Sequence, residues 1–508
     1  MFNFSSAANT DDRYLLVLGA DILLRERAVV SAVRTFPGPV LGMSESPASS
    51  PLHRFFDHVL QADYYDAEAA LEAVREFERR TGLRPAAVAP IIEMCVHVSV
   101  AISRHYGLRT LSDEALARSR DKHTMKEAFE AAGVPCARHR LFSTLEELRA
   151  AAAELVFPLV LKPRDFAGNV GTVKVDGPDG LPAAFDYCRD SLLEIAPVYD
   201  FADGRFQAEE FVAATHEVSV EVANWDGHRA VVAVTDKAKS GPPYFTERGQ
   251  LVPSRDSDNA ALRQVALDAC AALDITRGLA HVEVLVDGDD LSVVEVAARP
   301  GGDGIMDLID RVYGFSPYDV HYASYLGPFS GFPDFDRPAR GIGATTFLKA
   351  PPGTFTEVRS VDALTPDEVG LYPTAKVGDV SRSLTSYLAR DGVLEVFKPG
   401  PAADGAEGFR AYADDLAAKR TDELFTVAPG GQAVSTTRVR RTSASAAASS
   451  ARSPAASSTW PTRWLDERAA CTTEPRSTST PASTTALCSR TCSRPRTAVT
   501  VPAGASGR

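Results

Sequence analysis

The sequence predicts an open α/β layer at the N-terminus followed by a larger mixed α+β region. Three observations carry this. Short apolar runs alternate with helix-like stretches from Tyr14 to Tyr106, as in a parallel sheet covered by helices. From Ser119 onward, strands and helices are mixed. Two alternating runs, Ala280–Val286 and Leu291–Ala297, flank an Asp/Gly turn and run into ARPGGDG.

In order, Tyr14–Ala20 (YLLVLGA) is nearly continuous in apolar residues, the mark of a strand buried on both faces. Arg25–Arg34 is the expected helix after it, Val40–Gly42 a second strand and Tyr65–Thr81 a charged helix. Ala86–Ile92 is a strand, followed by Glu93 and a helix over Cys95–Tyr106. Gly19, at a strand end, suits a substrate-side turn better than a nucleotide turn, because no GxGxxG follows it. Asp121–Ala132 places Met125, Ala128, Phe129 and Ala132 on one helical face, and Gly133 and Pro135 end it. A helix over Leu145–Leu155 precedes the strand Pro158–Pro163 and the loop Asp165–Thr172 (DFAGNVGT). Strands follow at Val173–Val175, Gln207–Val212, Glu217–Trp225 and Arg229–Thr235, the last two joined by a tight Asp226-Gly227 turn. A helix over Ala260–Leu273 leads to the hairpin; Gly341–Ala350 and Val393–Phe397 are strands and Gly408–Ala418 a helix.

With 508 residues the chain can bury several cores. Its net charge of -13 conceals an asymmetry: from Ala433 onward there are eleven Arg, no Lys and three acids, which leaves -21 for the body. An acidic body argues against a nucleic-acid groove but not against a nucleotide, which needs only a local cationic pocket. The seven cysteines form no CxxC pair, so a zinc site or disulfide framework is not expected. The opening MFNFSSAANTDD has neither a basic region nor an apolar core, and no run is long enough to span a membrane; the expectation is a cytoplasmic protein. Residues 431–508, rich in Ser, Thr, Ala, Arg and Pro, lack an apolar period and are expected to be a disordered tail or frame-shifted text.

The chemistry-bearing residues lie in and around the apolar strands. Glu283 and Glu295 each interrupt one strand of the hairpin. A three-residue loop (Gly288, Asp289, Asp290) sets them face to face, where like charges are unfavourable without a cation such as Mg²⁺ between them. A two-residue Gly-Asp loop turns them to opposite faces, leaving two solvated acids. Lys162, alone in PLVLKP, needs an anion, either a phosphate or a core carboxylate. The glycines of Ala167–Gly171 allow backbone N–H groups to wrap phosphates, although a plain turn has the same composition. Lys122 and Lys237 are unremarkable alone. Arg299 can grip a carboxylate or phosphate bidentately, or pair with Asp303 or Asp307, and His281 reads as packing beside the site.

Taken together, Lys122, VLKP with Lys162, the glycine loop, EEFV followed by HEVSV, and HVEV…VVEVAARPGGD resemble the ATP-grasp superfamily in order and spacing. Among its members the chain is most similar to the carboxylate–amine ligases, over residues 12–428. The resemblance implies an N-terminal α/β domain (1–118), a lid lobe (119–212), a central lobe (213–340), a C-terminal segment (341–430) and the tail (431–508). It implies that Lys122 and Lys162 contact ATP phosphates and that the loop at Gly168 and Gly171 closes over them. Glu210, Phe211 and Val212 would meet the adenine edge, Glu217 the ribose, and Glu283 and Glu295 would hold Mg²⁺ or Mn²⁺, which selects the three-residue loop. Arg299 would steady an acyl phosphate, with Lys237 beside the phosphates.

The family usually has Asn where this chain has Ala297, which puts one metal ligand in question. The implied reaction activates a small acid, an amino acid or a relative, as an acyl phosphate and joins it to an amine, releasing ADP and phosphate. The implied partners are ATP and those two substrates, without nucleic acid or membrane, and a homodimer is left open. Two other readings stand beside it: an ATP-dependent carboxylase, disfavoured because Pro300-Gly301-Gly302-Asp303 replaces the Gln-Val-Glu-His expected there, and a non-catalytic nucleotide-binding regulator, prompted by Ala297.

Overall fold

The computed structural model describes residues 3–4, 12–47, 52–195, 204–327, 329–330, 335–361, 363–401 and 405–428. The expected tail at 431–508 lies outside the described residues, with Cys471, Cys488, Cys492, Trp460 and Trp464. Among the described residues no helix is long and apolar enough to cross a membrane. The described cysteines, Cys95, Cys136, Cys188 and Cys270, are free thiols.

The N-terminal sheet has four parallel strands, Arg13–Leu18, Val40–Ser44, His58–Gln61 and Arg84–Pro90, in spatial order third, second, first, fourth. Tyr14–Leu18 is wholly buried because helices cover both faces. Leu15 and Val17 pack on Ala28, Val29 and Ala32 of helix Glu26–Thr35. Tyr14, Leu16 and Leu18 pack on the other side against Val74 and Phe77 of helix Ala67–Thr81 and Val98 and Ile102 of helix Val96–His105.

A second, antiparallel sheet runs His139–Phe142, Phe206–Glu210, Leu159–Pro163, Val173–Val175. Helices Leu145–Ala153 and Leu181–Ile195 pack on one face through Leu148, Leu181, Cys188 and Leu192. The third sheet has eight strands, in order 290–297, 277–287, 216–225, 228–239, 247–252, 341–348, 392–399 and 368–373. Helix Ala260–Ala272 covers the hairpin end of that sheet. Helices Ile305–Tyr313 and Pro317–Leu326 lie between it and the N-terminal sheet.

His321 pins that junction: its Nε2 donates to the carbonyl of Pro90 (2.9 Å) and its Nδ1 accepts from the N–H of Leu279 (3.0 Å). Burial holds its pKa down to about 3, so the ring is neutral, as one donor and one acceptor require.

The hairpin corrects one expectation. Asp287 pairs with Asp290, so the loop is the two-residue Gly288-Asp289 and not three residues. Glu283 nevertheless faces Glu295, because the register shifts by one residue between Glu283 and Val284 and leaves Val294 as a bulge. The bulge, not the loop length, cancels the flip. Several helix and strand bounds also differ by a few residues; the strand begun at Arg229 extends to Lys239 and so carries Lys237 within the sheet.

Candidate active site

A cleft of about 980 Å³ opens between the second and third sheets and reaches the N-terminal sheet. Lys122, Lys162, Gly168, Glu210, Phe211, Val212, Glu217, Lys237, His281, Glu283, Glu295 and Arg299 all line it. Gly171 does not; it lies behind the loop against the Pro163 ring and the Cys188 carbonyl.

Helix Lys122–Ala132 begins at the cleft, with Asp121 as its N-cap. Lys122, at its first position, donates to the carbonyl of Phe166 (2.5 Å) and lies 3.1 Å from Glu295. Burial alone would lower its pKa, but Glu295 more than offsets this and the pKa is raised. One turn on, Lys126 projects from the same face and reaches the carbonyls of Val293 (3.5 Å) and Val294 (3.4 Å) at the bulge. Glu209 stands between Lys126 (3.6 Å) and Lys162 (2.6 Å). Burial would raise its pKa, yet the two ammonium groups hold it down to about 2. Lys162 is lowered, by burial first and by the nearby Lys126. Three lysines on one wall, with Glu209 between two of them and Glu295 beside the third, form a pocket suited to a polyanion.

Opposite, the Lys237 ammonium is wholly buried within reach of three carboxylates: Glu217 (3.3 Å), Glu247 and Glu283. Their attraction outweighs burial and raises its pKa well above the usual value, while Lys237 helps to hold Glu247 down to about 2. Glu217 also meets Lys239 at 2.5 Å. Oxygens of Glu217, Glu247 and Glu283 lie within 4.8 Å of one another. These three surround the Lys237 ammonium, while the hard oxygens of Glu283 and Glu295, which face each other, are of the kind that Mg²⁺ or Mn²⁺ takes.

Behind this wall His281 sits 2.5 Å from Glu221 and 3.4 Å from Glu283. Burial would lower its pKa, but Glu221 raises it to about 9. Glu221 also accepts the N–H of Gly301 (3.1 Å), tying the PGGD turn to the acidic strand. Arg299 pairs with neither Asp303 nor Asp307. Its guanidinium meets Glu93 (3.3 Å) and the carbonyl of Pro300 (2.8 Å), because the N-terminal sheet brings Glu93 to the cleft. Asp303 instead holds Arg390 (2.9 Å), and Asp307 holds Arg27 (3.7 Å). Ile22, Leu24, Ile91, Ile92 and Glu93 follow the first and fourth parallel strands, where the strand order reverses and open α/β sheets bind ligands. Arg390, stacked 3.5 Å over Phe347, also lies 3.3 Å from Glu247.

Sequence reading missed Lys126, Glu209, Glu247 and Arg390. Lys126 had a signal, four residues from Lys122 on one helix; the other three become visible only when separate elements converge.

This architecture has known counterparts. Residues 155–307 match the family model of an ATP-grasp domain. The fold is that of an L-amino acid ligase from Bacillus licheniformis, with TM-score 0.65 and 18% identity, covering 84% of this chain and 100% of that one. A carboxyaminoimidazole ribonucleotide synthase from Aspergillus clavatus solved with ATP gives TM-score 0.60 and 19% identity, covering 81% and 99%. The chain therefore carries an ATP-grasp domain over residues 155–307.

Among curated relatives, the alanine–anticapsin ligase of Bacillus subtilis is 28% identical over 242 residues, 45% of this chain and 49% of the ligase. The match thus spans about half of that relative's length. A formate-dependent phosphoribosylglycinamide formyltransferase of Azotobacter vinelandii is 27% identical over 318 residues, 62% of this chain and 75% of the relative.

Proposed function

We propose that this chain is an ATP-dependent carboxylate–amine ligase that activates a small acid, an amino acid or a relative, as an acyl phosphate and joins it to an amine, with ADP and phosphate as products. One observation carries the reading: Glu283 and Glu295 face each other across the hairpin in the same cleft as Lys122, Lys126 and Lys162. Similarity to the alanine–anticapsin ligase supports it.

In this reading Lys122, Lys126 and Lys162 bind the triphosphate, and the glycine loop covers it at Gly168. The backbone at Glu210, Phe211 and Val212 meets the adenine edge and Glu217 the ribose. Glu283 and Glu295 hold Mg²⁺, which supplies charge neutralisation on the phosphates. Arg299, steadied by Glu93, orients the acyl group, and Lys237 keeps the acidic wall together. The chain's contribution is positioning and electrostatics, the terms that dominate phosphoryl transfer.

ADP release with a panel of amino acids and amines tests this. A ligase needs both substrates, a carboxylase needs bicarbonate, and a regulator releases none. Glu295→Gln is expected to lower turnover by ~100-fold or more while ATP still binds, the scale of losing one electrostatic contact to the reacting centre. Unchanged turnover in that variant contradicts the reading.

A further inference from the structure

The segment Arg382–Arg390, from the C-terminal part of the chain, lines the cleft through Tyr387, Leu388 and Arg390. Its two ends are fixed to the C-terminal part of the fold: Ser381 donates to the carbonyl of Ala350 (2.9 Å), and Asp391 accepts from Lys349 (2.7 Å) and from the N–H of Ala350 (2.8 Å). Between those anchors it touches the lid at three successive points. Arg382 pairs with Glu194 (2.6 Å), Thr385 lies beside the Tyr187 hydroxyl, and the Tyr387 N–H donates to the carbonyl of Gly168 (3.2 Å). Glu194 and Tyr187 belong to helix Leu181–Ile195, and Gly168 to the glycine loop.

The Tyr387 ring lies over Gly168, so close that a Cβ there would run into it. Gly168 has φ +70°, which favours glycine in any case, and Asn169 beside it has φ +61°. The loop conformation that would present N–H groups to phosphates is therefore held from outside by the ring. One 3-10 turn later, Arg390 reaches Asp303 and Glu247 on the opposite wall, and its N–H donates to the Tyr387 carbonyl (3.2 Å). A single short turn thus touches both the glycine loop and the acidic wall.

We propose that Arg382–Arg390 is a strap that sets the closed position of the glycine loop, with Tyr387 as its positioning residue, and that it couples the acidic wall to the phosphate loop through Arg390. This rests on the nucleotide reading of the cleft. Occupancy of either half then favours the other, and the coupling is reciprocal.

The test is titration of the full chain with Mg²⁺ and the nonhydrolysable analogue adenylyl imidodiphosphate, followed by calorimetry and by the nucleotide-induced rise in Tm. Tyr387→Ala is expected to weaken binding about tenfold, within the range of coupling between sites, while Tyr387→Phe keeps ring and N–H and restores it. A merely structural role would lower Tm equally with and without nucleotide. The double variant Arg382→Glu with Thr385→Val, which spares Tyr387, is expected to weaken binding about threefold and to speed amide exchange across residues 166–172. Wild-type affinity in Tyr387→Ala, or in the double variant should Tyr387→Ala not fold, overturns the strap. Failure of the unaltered chain to bind the analogue overturns the nucleotide reading instead.

Discussion

Glu209 shows how much one side chain governs the site. It is buried between Lys126 and Lys162, and its pKa falls from the usual 4.5 to about 2. A carboxylate lowered in this way stabilises the fold fully above pH 4.5, and that contribution is lost as pH falls towards 2. Glu209→Gln leaves two buried ammonium groups short of a counter-charge, at a cost of about 3 kcal/mol by analogy with other broken buried pairs. Because ATP phosphates would replace the lost carboxylate, the variant is expected to have a lower Tm alone and a larger nucleotide-induced rise than the parent. Equal rises in the two proteins would show that these lysines do not face the triphosphate. Gly301 is constrained in a different way: a Cβ there would lie 2.6 Å from Glu221 Oε1 and 2.9 Å from His281 Nδ1. Gly301→Ala is expected to lower stability by about 1–3 kcal/mol, as overpacking does, measured by denaturant unfolding.

At the scale of elements, the hairpin separates what the sequence could reveal from what it could not. Alternation located both strands, and the spacing of Lys122, Lys162, Glu283 and Glu295 pointed to one superfamily. The facing of the two glutamates was not legible, since a bulge at Val294 and a longer loop produce the same pairing from the same letters. Glu209 and Glu210 pose a similar problem. Adjacent strand residues point to opposite faces, and only the fold shows Glu209 with the lysines and Glu210 with Arg138 (2.7 Å). Glu247 and Arg390 come from elements with no recognisable motif; only the folded sheet brings Glu247 beside Lys237, and Arg390 then meets Glu247. Because the bulge sets the register, the loop residues can change. Gly288→Asn with Asp289→Gly keeps a two-residue loop and is expected to leave stability within about 0.5 kcal/mol, as exposed changes usually do. A large loss of Mg²⁺-dependent turnover in that variant would return the register to the loop.

Across the whole molecule, the junction between the N-terminal and third sheets depends on a neutral His321. Its pKa lies at about 3 in the fold against the usual 6.5, so stability from this group is complete above pH 6.5 and fades as pH falls towards 3. Tm measured across that window is expected to fall, and His321→Asn should flatten the part of the slope above pH 4.5, below which Glu209 also contributes. An unaltered slope would place the acid sensitivity elsewhere. The same junction brings Glu93 to Arg299, so the N-terminal sheet supplies part of the cleft wall as well as stability.

The central claim, that a carboxylate is activated by phosphorylation in this cleft, is tested most directly by isotope transfer. An acid that supports ADP release is supplied with ¹⁸O in its carboxylate, and the released phosphate is analysed by mass spectrometry. An acyl phosphate intermediate predicts one ¹⁸O carried into each phosphate released. Phosphate free of ¹⁸O, formed alongside ADP and the joined product, would contradict the mechanism.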